Sequence, residues 1–336
     1  MKHCGIDLAS KASAVCVMDA EGRIVREEMV PTDEDGFRTC LGDCEPMQVI
    51  IEASPLAEWT ARVLESLGHE VTVIDPRRAK AVICTKKKTD RLDARNLARM
   101  SCTGWYTPVH RKSDEARLAR SELKARQGLV ETANAMGARI RGLLRAHGIR
   151  LGKFGAGEFE ARVKDRVSSE APELKPLLRP LLKIWREATQ AADRLYRDLG
   201  RRSRRDPLRG LLMSVPGVGP AVATAFVATV DDPRRFRRSD QVSAYLGLVP
   251  GVQQSGEVEV RSSVTKEGDG LLRWLLVEAA HVLLTRTRRS CALKRWGWKL
   301  QTRKGAGKAR VAVARKLAMI LHRIWLTGEP FDWQRT

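Results

Sequence analysis

The first hundred residues break into short apolar runs separated by polar and glycine-bearing stretches. "HCGIDLA" (3–9) and "ASAVCVMD" (12–19) are apolar and β-branched enough to form strands, and Gly22 marks the turn before a third, "RIVREEMV" (23–30). A helix is expected from Asp33 to about Leu41. "MQVIIEA" (47–53) reads as a fourth strand, "PLAEWTARVLESLG" (55–68) as a helix opened by proline and closed by Gly68, and "EVTVIDP" (70–76) as a fifth strand. A charged stretch with helical character, "TDRLDARNLAR" (89–99), follows.

Three strands, a helix, then strand–helix–strand–helix is the order of an RNase H-like α/β domain. It differs from the strict alternation of a dinucleotide fold, and no GxGxxG follows the first strand. Beyond Ser113 the periodicity changes to that of helices. One long helix is expected from Ser113 to His147, stopped by Gly148, then a glycine-containing loop or irregular helix, "IRLGKFGAGEFEARV" (149–163). A second helical run covers 173–200 and takes up its period after Pro180. Two long helices joined by a loop make a coiled-coil or hairpin arm, suited either to self-association or to serving as a spacer. "RRSRRD" (201–206) is a basic joint, and the remainder to about Glu329 is mainly helical. The expected domains are therefore 1–108, 109–206 and 207–329.

Charge sharpens this division. Residues 1–108 hold 15 Lys+Arg against 17 Asp+Glu, a net of −2, whereas residues 109–336 hold 46 against 23, a net of +23. A near-neutral head on a strongly basic body points to a polyanionic partner. The seven cysteines are scattered, with no CxxC pair and no histidine cluster, which argues against structural zinc and fits a reducing cytoplasm. The N-terminus has no signal-peptide apolar stretch, and "LLRWLLVEAAHVLL" is interrupted by Arg273, Glu278 and His281, so a membrane span is not expected.

Four acids fall where chemistry can use them. Asp7 lies at the end of the first strand and Glu52 ends the fourth; in an RNase H-like sheet those strands are neighbours. Two converging carboxylates repel, and a divalent cation is the usual remedy. Asp90 and Asp93, three apart in a helical stretch, share one face and can supply the other half of a two-metal cage. Alone, that pair would read as a charged surface helix; the order of the four acids is what favours a site. Lys86, Lys87 and Lys88 lead into it as phosphate-neutralising groups.

In the third segment, "LLMSVPGVGPAVATAFVATV" (211–230) has a helix-hairpin-helix pattern. Gly217 and Gly219 allow either a turn whose amides hold phosphate or a turn that serves packing alone. Ser255 lies in a polar Q-S-G loop. With no histidine beside it a protease-like triad is unsupported, and a serine attacking phosphate would rely on metal and basic groups. Lys266 and Arg273 are candidate phosphate contacts. "GAGKAR" (305–310) misses the Walker A spacing and follows no recognisable strand.

Taken together, "GIDLAS", "VIIEAS", "TDRLDARNLAR", "LMSVPGVGPAVA", "YLGLVPGVQQSGE", "TKEGDGLLRWLLVEAA" and "KARVAVARKLAMILHRIW" resemble, in order and over nearly the whole chain, the DEDD-type transposases of bacterial insertion sequences. These are also described as bridge-RNA-guided serine-assisted recombinases. The resemblance implies a RuvC-like N-terminal domain with Asp7, Glu52, Asp90 and Asp93 as metal ligands, Mg²⁺ (two ions) as cofactor, and Ser255 as the residue that links covalently to DNA. It further implies a noncoding guide RNA, a homo-tetramer, and a cytoplasmic, nucleoid-associated protein. "TKEGDG" departs from the expected pattern, with Glu267 and Gly270 where basic side chains are expected. The alternatives are a RuvC-like structure-specific nuclease using water, and a noncatalytic nucleic-acid-binding protein.

Overall fold

The computed structural model describes residues 1–75, 89–255 and 258–334, with backbone alone for 156 and for 252–255 and 258–262. The chain divides into two compact units, Met1–Arg111 and Lys112–Thr336.

Unit 1 is a five-stranded sheet with helices on both faces. Its strands are β1 (His3–Asp7), β2 (Ala12–Met18), β3 (Ile24–Pro31), β4 (Gln48–Glu52) and β5 (Glu70–Ile74), in the order β3-β2-β1-β4-β5. β2 is antiparallel to β1 and β3, while β4 is parallel to both β1 and β5. The pleat sends alternate side chains to opposite faces. Cys4, Ile6, Val15, Val17, Val49 and Ile51 meet α1 (Glu34–Leu41) and α2 (Ala57–Ser66) through Phe37, Leu41, Ala61 and Leu64. On the other face Ala14, Cys16, Met18, Ile50 and Ile74 meet α3 (Asp90–Thr103) through Ala94, Leu97, Ala98 and Met100. The N-caps follow side-chain chemistry: Asp33 accepts from the Gly36 N–H at 2.7 Å, and Thr89 from the Leu92 N–H at 3.3 Å. α2 begins at Ala57, two residues after the proline expected to open it.

In unit 2, α4 (Asp114–Ala146) and α6 (Lys175–Arg205) pack along each other. At 33 residues α4 is about 50 Å long. Of the segment read as loop or irregular helix, 149–158 is loop ending in a short 3-10 turn (Ala156–Glu158), and its last five residues begin a regular helix, α5 (Phe159–Glu170). Phe159, Val163 and Val167 recur every four residues and bury against Ile140, Leu144, Leu178 and Leu182. Pro180 lies inside α6 rather than before it, held there by Leu178 and Leu182 buried on either side; the basic joint is also helical, through Arg205. The main core gathers α7 (Pro207–Leu212), α8 (Pro220–Val230), α9 (Ser239–Tyr245), α10 (Gly270–Thr285), α11 (Ala292–Lys304) and α12 (Ala306–Thr327). A hairpin, β6 (Pro250–Ser255) and β7 (Val258–Val264), stands between α9 and α10 in the chain. Among the described residues no helix is long and apolar enough to cross a membrane.

Candidate active site

Asp7 is the last residue of β1 and Glu52 the last of β4. The two strands are adjacent and parallel, with Ile6 opposite Ile51, so the same register continued by one residue sets Asp7 beside Glu52. Neighbouring strands run about 4.8 Å apart. Asp7 is two residues from Gly5, and Glu52 two from Ile50; both therefore share the face that α3 covers.

Three contacts fix the direction of α3 across that face. Its C-terminal part lies at the start of the strands, where the His3 ring Nδ1 and Ser101 Oγ are 2.9 Å apart and Ser101 also meets Gln48. Its middle crosses Gly5: a Cβ there would stand 2.2 Å from the Ala98 nitrogen and 2.3 Å from the Ala94 oxygen. The helix thus runs antiparallel to β1 and β4 and points its first turn at their carboxylate ends. Asp7 is two residues beyond Gly5, roughly 6.6 Å along the strand. Asp93 and Asp90 lie one and four residues beyond Ala94, roughly 1.5 and 6 Å along the helix. The four acids consequently share one end of the sheet, with Asp7, Glu52 and Asp93 half-buried and Asp90 exposed.

Among the described residues, no three His, Cys, Asp or Glu side chains stand close enough to hold a metal ion. The backbone brings the four acids to one end; it does not close them into a ligand set. The donors are all carboxylate oxygens, the chemistry a hard divalent cation prefers. The positive end of the α3 dipole favours carboxylates in its first turn, where Asp90 and Asp93 lie.

Two residues that seat α3 carry no signal strong enough to have been singled out in the sequence. Gly5 is a glycine inside a buried strand, the mark of a close backbone approach. Arg95 makes a bidentate pair with Glu27 of β3, at 2.6 and 2.7 Å, and its guanidinium holds the Glu27 carboxyl below the ordinary range. The lysines Lys86, Lys87 and Lys88 lie outside the described residues.

In unit 2 the candidates separate by what their atoms already do. Gly217 has φ +89°, and a Cβ on it would meet the Ala279 oxygen at 2.3 Å; Val215, Pro216 and Val218 around it are buried. Close packing of this turn on α10 is reason enough for that glycine. The Val218 N–H is spent on the Val215 carbonyl, and a Cβ on Gly219 would meet the Tyr196 hydroxyl. The Arg273 guanidinium donates to the carbonyls of Leu246 (3.0 Å) and Glu267 (2.8 Å), stapling two loops together. The Lys266 side chain is exposed on a residue with φ +58°. Ser255 ends strand β6, paired with Val258, instead of lying in a loop. The hairpin's base is rooted by glycines: a Cβ on Gly247 would strike the Glu267 backbone at 2.3 Å, and one on Gly268 the Tyr245 carbonyl at 2.1 Å.

Comparison with known proteins adds relatives. Residues 209–296 match the model described as the Transposase IS116/IS110/IS902 family, and residues 4–149 a transposase model of the DEDD, IS110 type. A probable family 20 transposase of Pseudomonas aeruginosa is 30% identical over 336 residues, covering 96% of each chain. The transposase for insertion sequence element IS1111A of Coxiella burnetii is 29% identical over 328 residues, 96% of this chain and 88% of the relative. The transposase for insertion sequence element IS1328 of Yersinia enterocolitica is 24% identical over 330 residues, 98% of each.

Proposed function

The chain belongs to the IS116/IS110/IS902 transposase family, and from that premise we propose that it cuts and rejoins DNA strands at the ends of an insertion element and at its target. The observation that carries this reading is the gathering of Asp7 and Glu52 at adjacent strand ends, on the face where the first turn of α3 brings Asp90 and Asp93. Unit 1 is taken as RNase H-like (RuvC-like), a reading supported by its sheet order and the antiparallel β2.

The four carboxylates are assigned to Mg²⁺, two ions, which when bound neutralise charge on a scissile phosphate and polarise it toward attack. The chain's own part is to hold those oxygens on rigid elements and to bind the polyanion with a body of net charge +23 over residues 109–336. Ser255 is assigned the attack. Its hydroxyl oxygen bonds to phosphorus as the bond to one sugar oxygen breaks; the serine proton leaves and the departing sugar oxygen takes one up. Attack by the hydroxyl of a second strand then frees the serine. A guide RNA and a tetramer complete the reading, as the family resemblance implies.

DNA carrying element ends, incubated with Mg²⁺ and then denatured, should yield a covalent adduct with the wild-type protein and none with Ser255→Ala. Asp7→Ala should abolish cleavage. Undiminished cleavage by Ser255→Ala would make the protein a nuclease that uses water; cleavage by Asp7→Ala would remove the metal site.

A further inference from the structure

Residues 279–328 form a run of 50 without a single Asp or Glu, yet with 13 Lys and Arg. Within it, α11 carries "ALKRWGWKLQTRK" and is clamped on one side only. Gly297 faces the core so tightly that a Cβ would lie 2.6 Å from Leu284 Cδ2 and 2.9 Å from Val313 Cγ2, and Leu293 is buried beside it. At 100° per residue, the arc opposite Gly297 reads Trp298, Thr302, Arg295, Lys299, Ala292, Arg303, Trp296. Arg295, Lys299 and Arg303, four apart, make a cationic stripe whose steps are roughly 6 Å. A tryptophan borders it on each flank.

Trp298 is held from the core side, whereas Trp296 has an exposed lysine at its ring. Trp298 donates its Nε1–H to the Leu284 carbonyl at 3.0 Å and has the buried Lys294 ammonium 4.6 Å from its ring centre, yet is 46% exposed. Trp296 has Lys316 4.6 Å from its ring centre and is 36% exposed. A fixed ring with a cation beside it is a surface on which a flat, polarisable group stacks at little ordering cost. A helix face carrying three cations and no acid repels a second copy of itself, and tryptophans have no stacking partner in a closed duplex. Cations spaced along one line with rings at the margins match a strand whose bases are unpaired.

We propose that the outer face of α11 binds an unpaired stretch of single-stranded DNA, its phosphates along Arg295, Lys299 and Arg303 and bases stacked on Trp296 and Trp298. This rests on the transposase reading for the kind of nucleic acid offered, since strand exchange produces unpaired DNA. Binding is to be measured by fluorescence anisotropy without metal, so its failure leaves the Asp7 and Ser255 tests standing. Trp296→Ala should weaken a short oligo-dT about tenfold and leave a duplex of equal length unaffected. An abasic oligomer should bind the wild type as weakly as oligo-dT binds the variant. Trp298→Ala should act likewise, with Trp298→Phe restoring much of the affinity. Should Trp298→Ala fail to fold in a thermal melt, Trp296→Ala and Lys299→Glu decide the matter. Equal loss on duplex and single strand, full binding of the abasic oligomer, or clear preference for oligo-rU would each overturn the assignment.

Discussion

Replacing Gly5 by alanine tests the seating of α3 directly. The added methyl would lie 2.2 Å from the Ala98 nitrogen, 2.3 Å from the Ala94 oxygen and 2.7 Å from Leu97 Cβ, where ordinary contact begins near 3.4 Å. Two of these atoms belong to backbone, so no rotamer change relieves the clash; the helix has to retreat by about 1 Å. That retreat opens the contacts of Ala94 and Ala98 with Ala14, Cys16 and Met18, and those of Leu97 and Met100 with Ile50 and Ile74. Overpacking of this kind costs about 1–3 kcal/mol. It also carries Asp90 and Asp93 away from Asp7 and Glu52. Urea unfolding should show a lower midpoint, and calorimetric titration with Mg²⁺ or Mn²⁺ weaker binding. Gly22→Ala is the control: its φ is +78° but nothing lies within 4 Å, so metal binding should survive. Unchanged stability in Gly5→Ala would show that α3 does not rest on β1. Lost stability with intact metal affinity would refute the claim that α3 sets the site.

Two further outcomes follow from unit 2. Burial pushes the Lys112 ammonium down to about 8, with Arg235 and Arg120 adding repulsion against the partial relief from Asp231 and Asp269. Its folded value is depressed, so charging Lys112 costs stability below about 8, and that cost fades as pH rises toward the unfolded value of 10.5. Wild-type unfolding free energy should therefore gain up to about 3 kcal/mol relative to Lys112→Met between those pH values, and parallel curves in the two proteins would contradict this. Gly217→Ala faces both a left-handed φ and the Ala279 carbonyl at 2.3 Å, and should lower the thermal midpoint of the protein markedly. Calorimetry showing an unchanged midpoint would mean the turn does not pack on α10.

The strands and the α3 helix were legible because their signals are local: apolar, β-branched runs for β1 and β2, the turn at Gly22, and helical character in 89–99. Placing Asp7 beside Glu52 needed only the strand order. What escaped was non-local. α5 escaped because its apolar face is just Phe159, Val163 and Val167, preceded by glycines, and gains meaning only against α4 and α6. Pro180 misled for the same reason: local propensity says break, while buried Leu178 and Leu182 hold the helix through it. Arg273 carries the formal charge of a phosphate ligand, and only the folded loops reveal that its Nη1 donates to two backbone carbonyls.

The interlocked glycines at the hairpin's base bear on how such a protein can change over generations. Gly247 and Gly268 touch facing backbone, not side chains. A joint built that way has no intermediate settings: every other amino acid at either position brings a Cβ into a carbonyl or an amide. Drift cannot adjust this mount by degrees, and the strand that ends in Ser255 stands on it. The base is therefore either kept or lost, and with it the place of the β6 end where Ser255 lies.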